Sequence, residues 1–401
     1  MQVFCKSACY NMDCDAYFRK YLFDMEEAQQ PNGAYTDIAS VLRQDNGQIV
    51  LGSANAAWGD AGVIVAWNLY LYYADKDLLK RHYPSMKRHV DYLLSDGFDR
   101  QNRDSYGDWL NIDDAIPKQV MCLAYMAYDT LLMSKMAGVL DYNEDQRRYA
   151  TEYGQLKNDF LADYTDENRV ILGDTQTGYL LALRFGLYTA REKEAFVRHL
   201  VRKFREREYH LSTGFVGVSH ILPVLSENRR SALAYRILSE ETYPSWLYSV
   251  KNGATTIWER WNSYTEDGFG DDAMNSFNHY SLGSVCEWLF SGCCGIMPME
   301  EHPGFEKFLL APHPAENLQY AAAVYRSVRG TIQSSWELAD GGIRYRFVIP
   351  ANTTAVVRMP QKAVSFTSGP EQEDPSGVSV FSLKSGTYEF FVSDGWPPAL
   401  I

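Results

Sequence analysis

Phe18, Tyr21, Leu22 and Met25 stand at i, i+3, i+4 and i+7, the spacing of one buried helical face. The same texture continues through 61–74, 76–95, 117–138, 143–163, 190–206, 228–240 and 274–292, with Gly-, Asp- and Asn-rich breaks at 96–108, 165–175 and 262–273. Roughly a dozen helices of ordinary length follow, each needing a partner for its apolar stripe. A mainly α toroid of paired helices, an (α/α)6 barrel or six-hairpin toroid with loops at one end forming a cleft, satisfies them all. After Pro298 the period changes to two. Leu318–Tyr325, Gly330–Glu337, Gly342–Ile349, Thr353–Met359 and Thr387–Val392 are short alternating or β-branched runs punctuated by Gly, Pro, Asn and Asp. They predict a small C-terminal antiparallel β-sandwich, with the helical part at 1–296, the sandwich at 297–401 and a polar turn at 366–377.

A chain of 401 residues with 46% hydrophobic and 22% charged residues has the composition of an ordinary globular protein. Its net charge of −13 repels phosphate backbones and anionic lipid, which argues against nucleic-acid and membrane-surface roles. No apolar run approaches the ~20 residues that span a bilayer. The opening Met-Gln-Val-Phe-Cys-Lys-Ser-Ala-Cys-Tyr has no secretory pattern, and seven cysteines, an odd number, fit reduced thiols, so a cytoplasmic location is expected. Cys5, Cys9 and Cys14 lie near helical spacing without a histidine among them, and no metal or other cofactor is expected.

Chemistry concentrates at 253–261, Gly-Ala-Thr-Thr-Ile-Trp-Glu-Arg-Trp. Glu259 stands between Trp258 and Trp261 with Arg260 beside it. Indole faces stack on the C–H faces of sugar rings, and a carboxylate among them can activate water or hold hydroxyls. The alternative is a surface carboxylate paired with Arg260 or Arg229. A second polar-aromatic run, Asn275-Ser276-Phe277-Asn278-His279-Tyr280, reads as helical, with Asn278 and His279 placed to bind hydroxyls. Trp58-Gly59-Asp60 and Gly107-Asp108-Trp109-Leu110 each set Trp beside Asp at a loop–helix junction. That pattern suits a sugar site, and it equally suits a carboxylate at a helix N-terminus. Asp174, Gln176 and Thr177 read as a helix start.

Taken together, these stretches resemble the bacterial α-L-rhamnosidases of glycoside hydrolase family 78. Gln2-Val3-Phe4, Tyr10-Asn11-Met12-Asp13, Ala57-Trp58-Gly59-Asp60-Ala61, Tyr83-Pro84-Ser85-Met86-Lys87, Gly107-Asp108-Trp109-Leu110, Gly214-Phe215-Val216-Gly217, Ala254–Trp261 and Asn275–Tyr280 carry the resemblance, in order, over about residues 1–360. It implies an (α/α)6 barrel followed by a β-sandwich, and hydrolysis of terminal α-L-rhamnosides with inversion, without a cofactor. It also implies Glu259 as general base, with Trp58, Trp109 and His279 lining the sugar pocket. Asp108, Trp258, Trp261 and Asn278 complete the expected substrate-binding set.

The family carries its general acid in an Asp-Glu-Arg-x-Gly-Trp-x-Gly-Asp motif, and Met1-Gln2-Val3-Phe4 begins where that motif would end. The expectation is that another carboxyl donates the proton, with Asp60 first and Asp108 or Asp113 behind it. Two other readings stand beside this one: a non-hydrolytic relic that binds sugar, and a scaffold repurposed for another small-molecule glycoside. The partner is a small-molecule or oligosaccharide rhamnoside, and surface left by absent neighbouring domains predicts a homo-oligomer.

Overall fold

The computed structural model describes residues 1–39, 52–100, 103–271, 273–359, 365–366, 372–373 and 379–393. The turn expected over 366–377 lies outside these residues apart from Phe366 and Gln372–Glu373, as does Asp272 of the break at 262–273.

The helices are α1 Cys5–Asn11, α2 Asp15–Ala28, α3 Ala61–Tyr73, α4 Lys76–Leu93, α5 Lys118–Val139, α6 Asn143–Tyr164, α7 Gln176–Arg184, α8 Ala190–Glu206, α9 Phe215–Val218, α10 Ile221–Glu227, α11 Ser231–Leu238 and α12 Trp246–Lys251. Their burial alternates along the chain. Every residue of α3 from Ala61 to Tyr72 is buried, and so is α7 from Gln176 to Leu183. Between them, α4 buries one stripe (Leu78, Leu79, His82, Tyr83, Met86, His89, Val90 and Leu93), and α6 buries only Tyr149, Leu156 and Phe160. A helix apolar on all sides must be enclosed, whereas one with a stripe covers others. The enclosed helices form a closed circuit: α1 packs on α3, α3 on α5, α5 on α7, α7 on α9, α9 on the 281–285 turn, and that turn back on α1. Local sequence sets the helix starts: Asp75 accepts from Leu78 N at 2.9 Å, and Thr189 with Glu192 forms a capping box.

The helix expected over 274–292 is not there. Residues 274–280 are irregular, and a 3₁₀ turn Ser281–Val285, one α turn Cys286–Trp288 and a π turn Leu289–Cys293 follow. The cause lies in backbone pairing. Glu259 N donates to Ser276 O at 2.8 Å and His279 N to Ile257 O at 2.9 Å, so 275–279 runs alongside 257–259. The Asn275 side chain donates to Ser263 O at 2.9 Å and Ser276 Oγ accepts from Asn278 N at 3.1 Å, local bonds that compete with a helix ladder. A short hairpin, β1 Tyr264–Thr265 with β2 Gly268–Phe269, occupies the break expected there.

Among the described residues the C-terminal part is one sheet of eight strands: β3 Ile296–Pro298, β4 Lys307–Leu310, β5 Tyr320–Ser327, β6 Gly330–Ala339, β7 Gly342–Met359, β8 Ser365–Phe366, β9 Gln372–Glu373 and β10 Ser379–Ser393. The two strands expected at 342–349 and 353–359 are one, β7, carried through a bend by Asn352 at φ 61°. Asn tolerates the left-handed region that a β-branched residue resists. A register shift between Lys384 and Gly386 lets β10 follow the bend. Beyond the bend β4 pairs with β7 in parallel, Lys307 opposite Thr354, so the sheet is not wholly antiparallel. The sheet is bonded to the helices by Tyr10 Oη to Ile296 O at 2.6 Å, Trp336 Nε1 to Cys293 O at 2.9 Å and Gly304 N to Leu71 O at 2.8 Å. No helix among the described residues is long and apolar enough to cross a membrane.

Candidate active site

Five of the enclosed helices, α1, α3, α5, α7 and α9, begin at the same end of the circuit. There the loop 52–60 before α3 and the loop 103–109 before α5 meet the segments 212–215, 257–261 and 275–280. The N-termini of α3, α5 and α7 bring the positive ends of their dipoles to this end, which favours carboxylates.

Glu259 sits here at 9% exposure. Its Oε2 accepts from Ser276 N at 2.8 Å, while Oε1 accepts no hydrogen bond from the described residues. Arg260 turns away towards Asp271 at 3.6 Å, so the surface-pair alternative does not hold. One oxygen fixed and one left for water is the geometry a general base needs. His279 stands beside Glu259, its ring stacked on Phe215 at 4.9 Å and on Tyr280 at 4.9 Å. Burial lowers its pKa, opposed by the Glu259 charge. Its Nδ1 accepts from Ser281 N at 3.2 Å, leaving Nε2 as the N–H in the neutral ring.

From His279 the aromatic lining runs on. Phe215 N donates to Trp109 O at 2.9 Å, Trp109 meets Tyr106 edge-on at 6.1 Å, and Tyr106 meets Trp58 at 4.8 Å. On the other side Tyr280 touches Phe4 at 5.6 Å, and Gln2 Nε2 reaches Ala57 O at 3.4 Å. The rim therefore closes on itself around Glu259. Trp109 is 37% exposed and Trp58 is partly exposed, so both offer ring area to a ligand. Asn278 is exposed on the same rim.

The aspartates beside these rings are not open to a ligand. Asp108 is buried, and its carboxylate accepts from Thr177 Oγ1, from Gly214 N at 2.8 Å, from Val216 N at 2.7 Å and from Gly217 N at 3.2 Å. Its expected substrate-binding role is corrected: it bonds the Trp109 loop to the start of α9. Asp60 is fully buried. Its Oδ2 accepts from Ala57 N at 2.7 Å and its Oδ1 from Arg103 Nη2 at 2.5 Å. Burial alone would raise its pKa, but Arg103, His89 and Asp129 outweigh that and hold it below the ordinary carboxylate range. A carboxyl that is ionised and sealed from solvent cannot act as general acid, so the expected catalytic role of Asp60 is also corrected. Asp113 is exposed, with its carbonyl accepting from Arg207. Trp261 is 2% exposed, its Nε1 bonded to Thr213 O at 2.8 Å and its ring edge-on to Trp246; it is core, not a sugar platform. Trp258 is likewise buried, edge-on to Phe277.

Asp60, His89 and Asp129 are close enough to suggest a cation site, since one ligand atom from each lies within 4.8 Å of the others. Their chemistry opposes it. His89 Nδ1 accepts from Tyr35 N at 3.1 Å, which puts the ring proton on Nε2, the nitrogen that faces the carboxylates. Arg103 already supplies the positive charge. Asp129 lies fully buried with no hydrogen-bond partner for either oxygen among the described residues, and burial together with the Asp60 charge pushes its pKa far up. Burial lowers the His89 pKa as well, so the surroundings favour a charged Arg103 and Asp60 beside an uncharged Asp129 and imidazole.

Sequence reasoning missed Tyr106, Asp37 and Phe215 as members of the lining. A tyrosine next to Gly107 gave no signal by itself, and Asp37 lies far from the tryptophans in sequence.

A circuit of buried helices with a carboxylate inside an aromatic rim at one end defines a six-hairpin glycosidase domain. Residues 1–293 match the bacterial alpha-L-rhamnosidase 6 hairpin glycosidase domain, and residues 295–373 match the bacterial alpha-L-rhamnosidase C-terminal domain. The chain belongs to this bacterial α-L-rhamnosidase family. It is 36% identical over 398 residues to an alpha-L-rhamnosidase of Streptomyces avermitilis, covering 98% of this chain and 38% of that protein. An alpha-L-rhamnosidase of Alteromonas sp. (strain LOR) is 33% identical over 401 residues, covering 96% of this chain and 43% of the relative. The chain thus spans less than half the length of these relatives. The crystal structure of the Streptomyces avermitilis enzyme complexed with L-rhamnose superposes with a TM-score of 0.91, over 98% of this chain and 38% of that one.

Proposed function

We propose that this chain is a glycoside hydrolase that removes terminal α-L-rhamnose from glycosides with inversion. Glu259 is the general base, and Trp58, Trp109, Asn278 and His279 contact the sugar. The observation that carries this reading is Glu259 itself: Oε2 fixed by Ser276 N, Oε1 left for a water, inside an aromatic rim. The L-rhamnose complexed in the Streptomyces avermitilis relative supports the substrate class. In the finer architecture, the closed circuit is the inner layer of an (α/α)6 barrel over 1–296, and the bent β7 and β10 fold the sheet into a sandwich over 297–401.

Inversion requires a base and an acid about 6.5–9.5 Å apart with water between. Burial and bonding argue against Asp60 and Asp108 as the acid. A phenolic leaving group hardly needs protonation, so p-nitrophenyl α-L-rhamnoside reads the base alone. Turnover by the wild-type chain that falls by about 10²–10⁴-fold in Glu259→Gln is the expected result. No turnover by either protein sinks the rhamnosidase reading and leaves a sugar-binding relic or a scaffold repurposed for another small-molecule glycoside.

A further inference from the structure

The C-terminal sheet leaves one long edge open. Among the described residues its other borders are short: β3 has three residues and ends in Pro298, and β8 and β9 have two each. β5 runs for eight residues, pairs with β6 in an unbroken register and pairs with no other strand. Proteins normally blunt such an edge with lysine, proline, a bulge or short length, because its free backbone groups invite another strand. β5 carries none of these devices.

The hairpin fixes which backbone groups stand free. β6 bonds the odd-numbered residues, a parity carried on by Leu338 N to Gln319 O at 2.9 Å, so the N–H and C=O of Tyr320, Ala322, Val324 and Arg326 point away from the sheet. No described residue outside the strand bonds them. The side chains of the same four residues lie on the face away from the helices, all of them exposed, Tyr320 at 68% and Val324 at 58%. On the opposite face Ala321 and Ala323 are half-buried, and Tyr325 packs on Tyr10 and Phe305.

This edge is complementary to itself. When β5 runs antiparallel to β5 of a second copy about a twofold axis at Ala323, Tyr320 stands opposite Arg326 and Ala322 opposite Val324, each pair occurring twice. All the free N–H and C=O groups of both strands then find partners. Sliding by two residues either way leaves an end residue facing the 328–329 turn or Leu318, outside the strand. The side chains agree with the backbone: a guanidinium meets a tyrosine ring, alanine meets valine, and at the axis alanine meets alanine, which leaves room for close approach.

We infer that β5 is a dimerisation edge, through which two copies of this chain join their sheets by antiparallel β5–β5 pairing centred on Ala323. The inference goes beyond the rhamnoside reading and does not depend on it.

Sedimentation velocity of the chain from about 1 to 100 μM tests it, and a monomer–dimer equilibrium is expected in that range. Ala322→Pro removes an N–H that points away from β6, so the fold and Tm survive while dimerisation weakens by about 10²-fold. Val324→Lys keeps the backbone, places a charge on the edge and should likewise give monomer. Ala323→Cys should cross-link to a covalent dimer with oxidised glutathione, because a non-hydrogen-bonded antiparallel pair sets its Cα atoms about 4.5 Å apart, within reach of a disulfide. Wild type should not cross-link, since Cys286 is half-buried and the other cysteines are buried. A wild-type chain that stays monomeric throughout the range overturns the inference. So does a dimer that persists in Val324→Lys, which places the interface elsewhere, and so does an Ala323→Cys dimer that stays uncross-linked, which rejects the register.

Discussion

Gly214 offers the sharpest test of how the rim is built. A Cβ placed there would meet Trp109 O at 2.0 Å and Asp108 O at 2.6 Å. Ordinary van der Waals contact begins near 3.4 Å, so in Gly214→Ala the 108–109 backbone must retreat by about 1.4 Å. That distance breaks the bonds joining the two segments, Gly214 N to Asp108 at 2.8 Å and Phe215 N to Trp109 O at 2.9 Å. One is charge-assisted and one neutral, and both are screened from water, so the cost is about 2–4 kcal/mol. In a domain of this size that lowers Tm by roughly 3–6 °C. The rings move too: Trp109 lies on one side of the broken seam, and Phe215, which stacks on His279, lies on the other. A misplacement of about 1 Å in a site costs on the order of 10² in kcat/KM. Differential scanning fluorimetry and p-nitrophenyl α-L-rhamnoside kinetics measure both effects. Gly154→Ala in α6 is the control, because a Cβ there meets nothing within 4 Å and alanine favours a helix. A Gly214→Ala protein that melts within about 1 °C of wild type and keeps kcat/KM within about twofold would refute the close-approach argument.

The Asp60 cluster makes two further predictions. Asp129 has a raised folded-state pKa, so its contribution to stability is full below the unfolded value near 3.9 and is lost as pH rises towards the folded pKa. Asp129→Asn, which keeps the shape without the titration, should therefore gain in Tm relative to wild type as pH goes from about 5 to 8; a difference that is flat or falls with pH contradicts the assignment. The same cluster should ignore divalent cations, because His89 presents N–H and Arg103 holds Asp60. Zn²⁺, Ca²⁺ and Mg²⁺ should each leave Tm unchanged in wild type, and a saturable rise with any of them that Asp129→Asn abolishes would show that the cluster binds metal.

Much of the fold is legible as periodicity, and the exceptions have local causes. The buried stripes of α4 and α8 match the sequence spacing because a helix half in water must segregate its faces. The segment 274–292 misleads for the opposite reason: it carries helical spacing, but its polar residues have better partners in the 257–259 backbone than in a helix ladder. The sequence of β7 resembles two strands because its interruption is chemical in the sequence and only conformational in the structure, a single left-handed Asn352.

The site shows a subtler limit. Trp beside Asp at two loop–helix junctions marks the mouth of the site in the sequence, yet it does not say which member of each pair faces the ligand. Burial decides: a carboxylate that accepts from three backbone N–H groups, as Asp108 does, has no capacity left for a sugar, whereas a partly exposed indole beside it does. The aspartates are therefore structural anchors for the rings. A third anchor of the same kind, Asp37, escapes the sequence pattern because its ring, Tyr106, is 69 residues away along the chain. Anchoring of this sort costs buried charge, which only a satisfied hydrogen-bond set can offset. Its repetition at three neighbouring rings places the demand for rigidity at the rim, where a sugar ring must be held against Glu259, and loosening any one anchor should register in binding before it registers in folding.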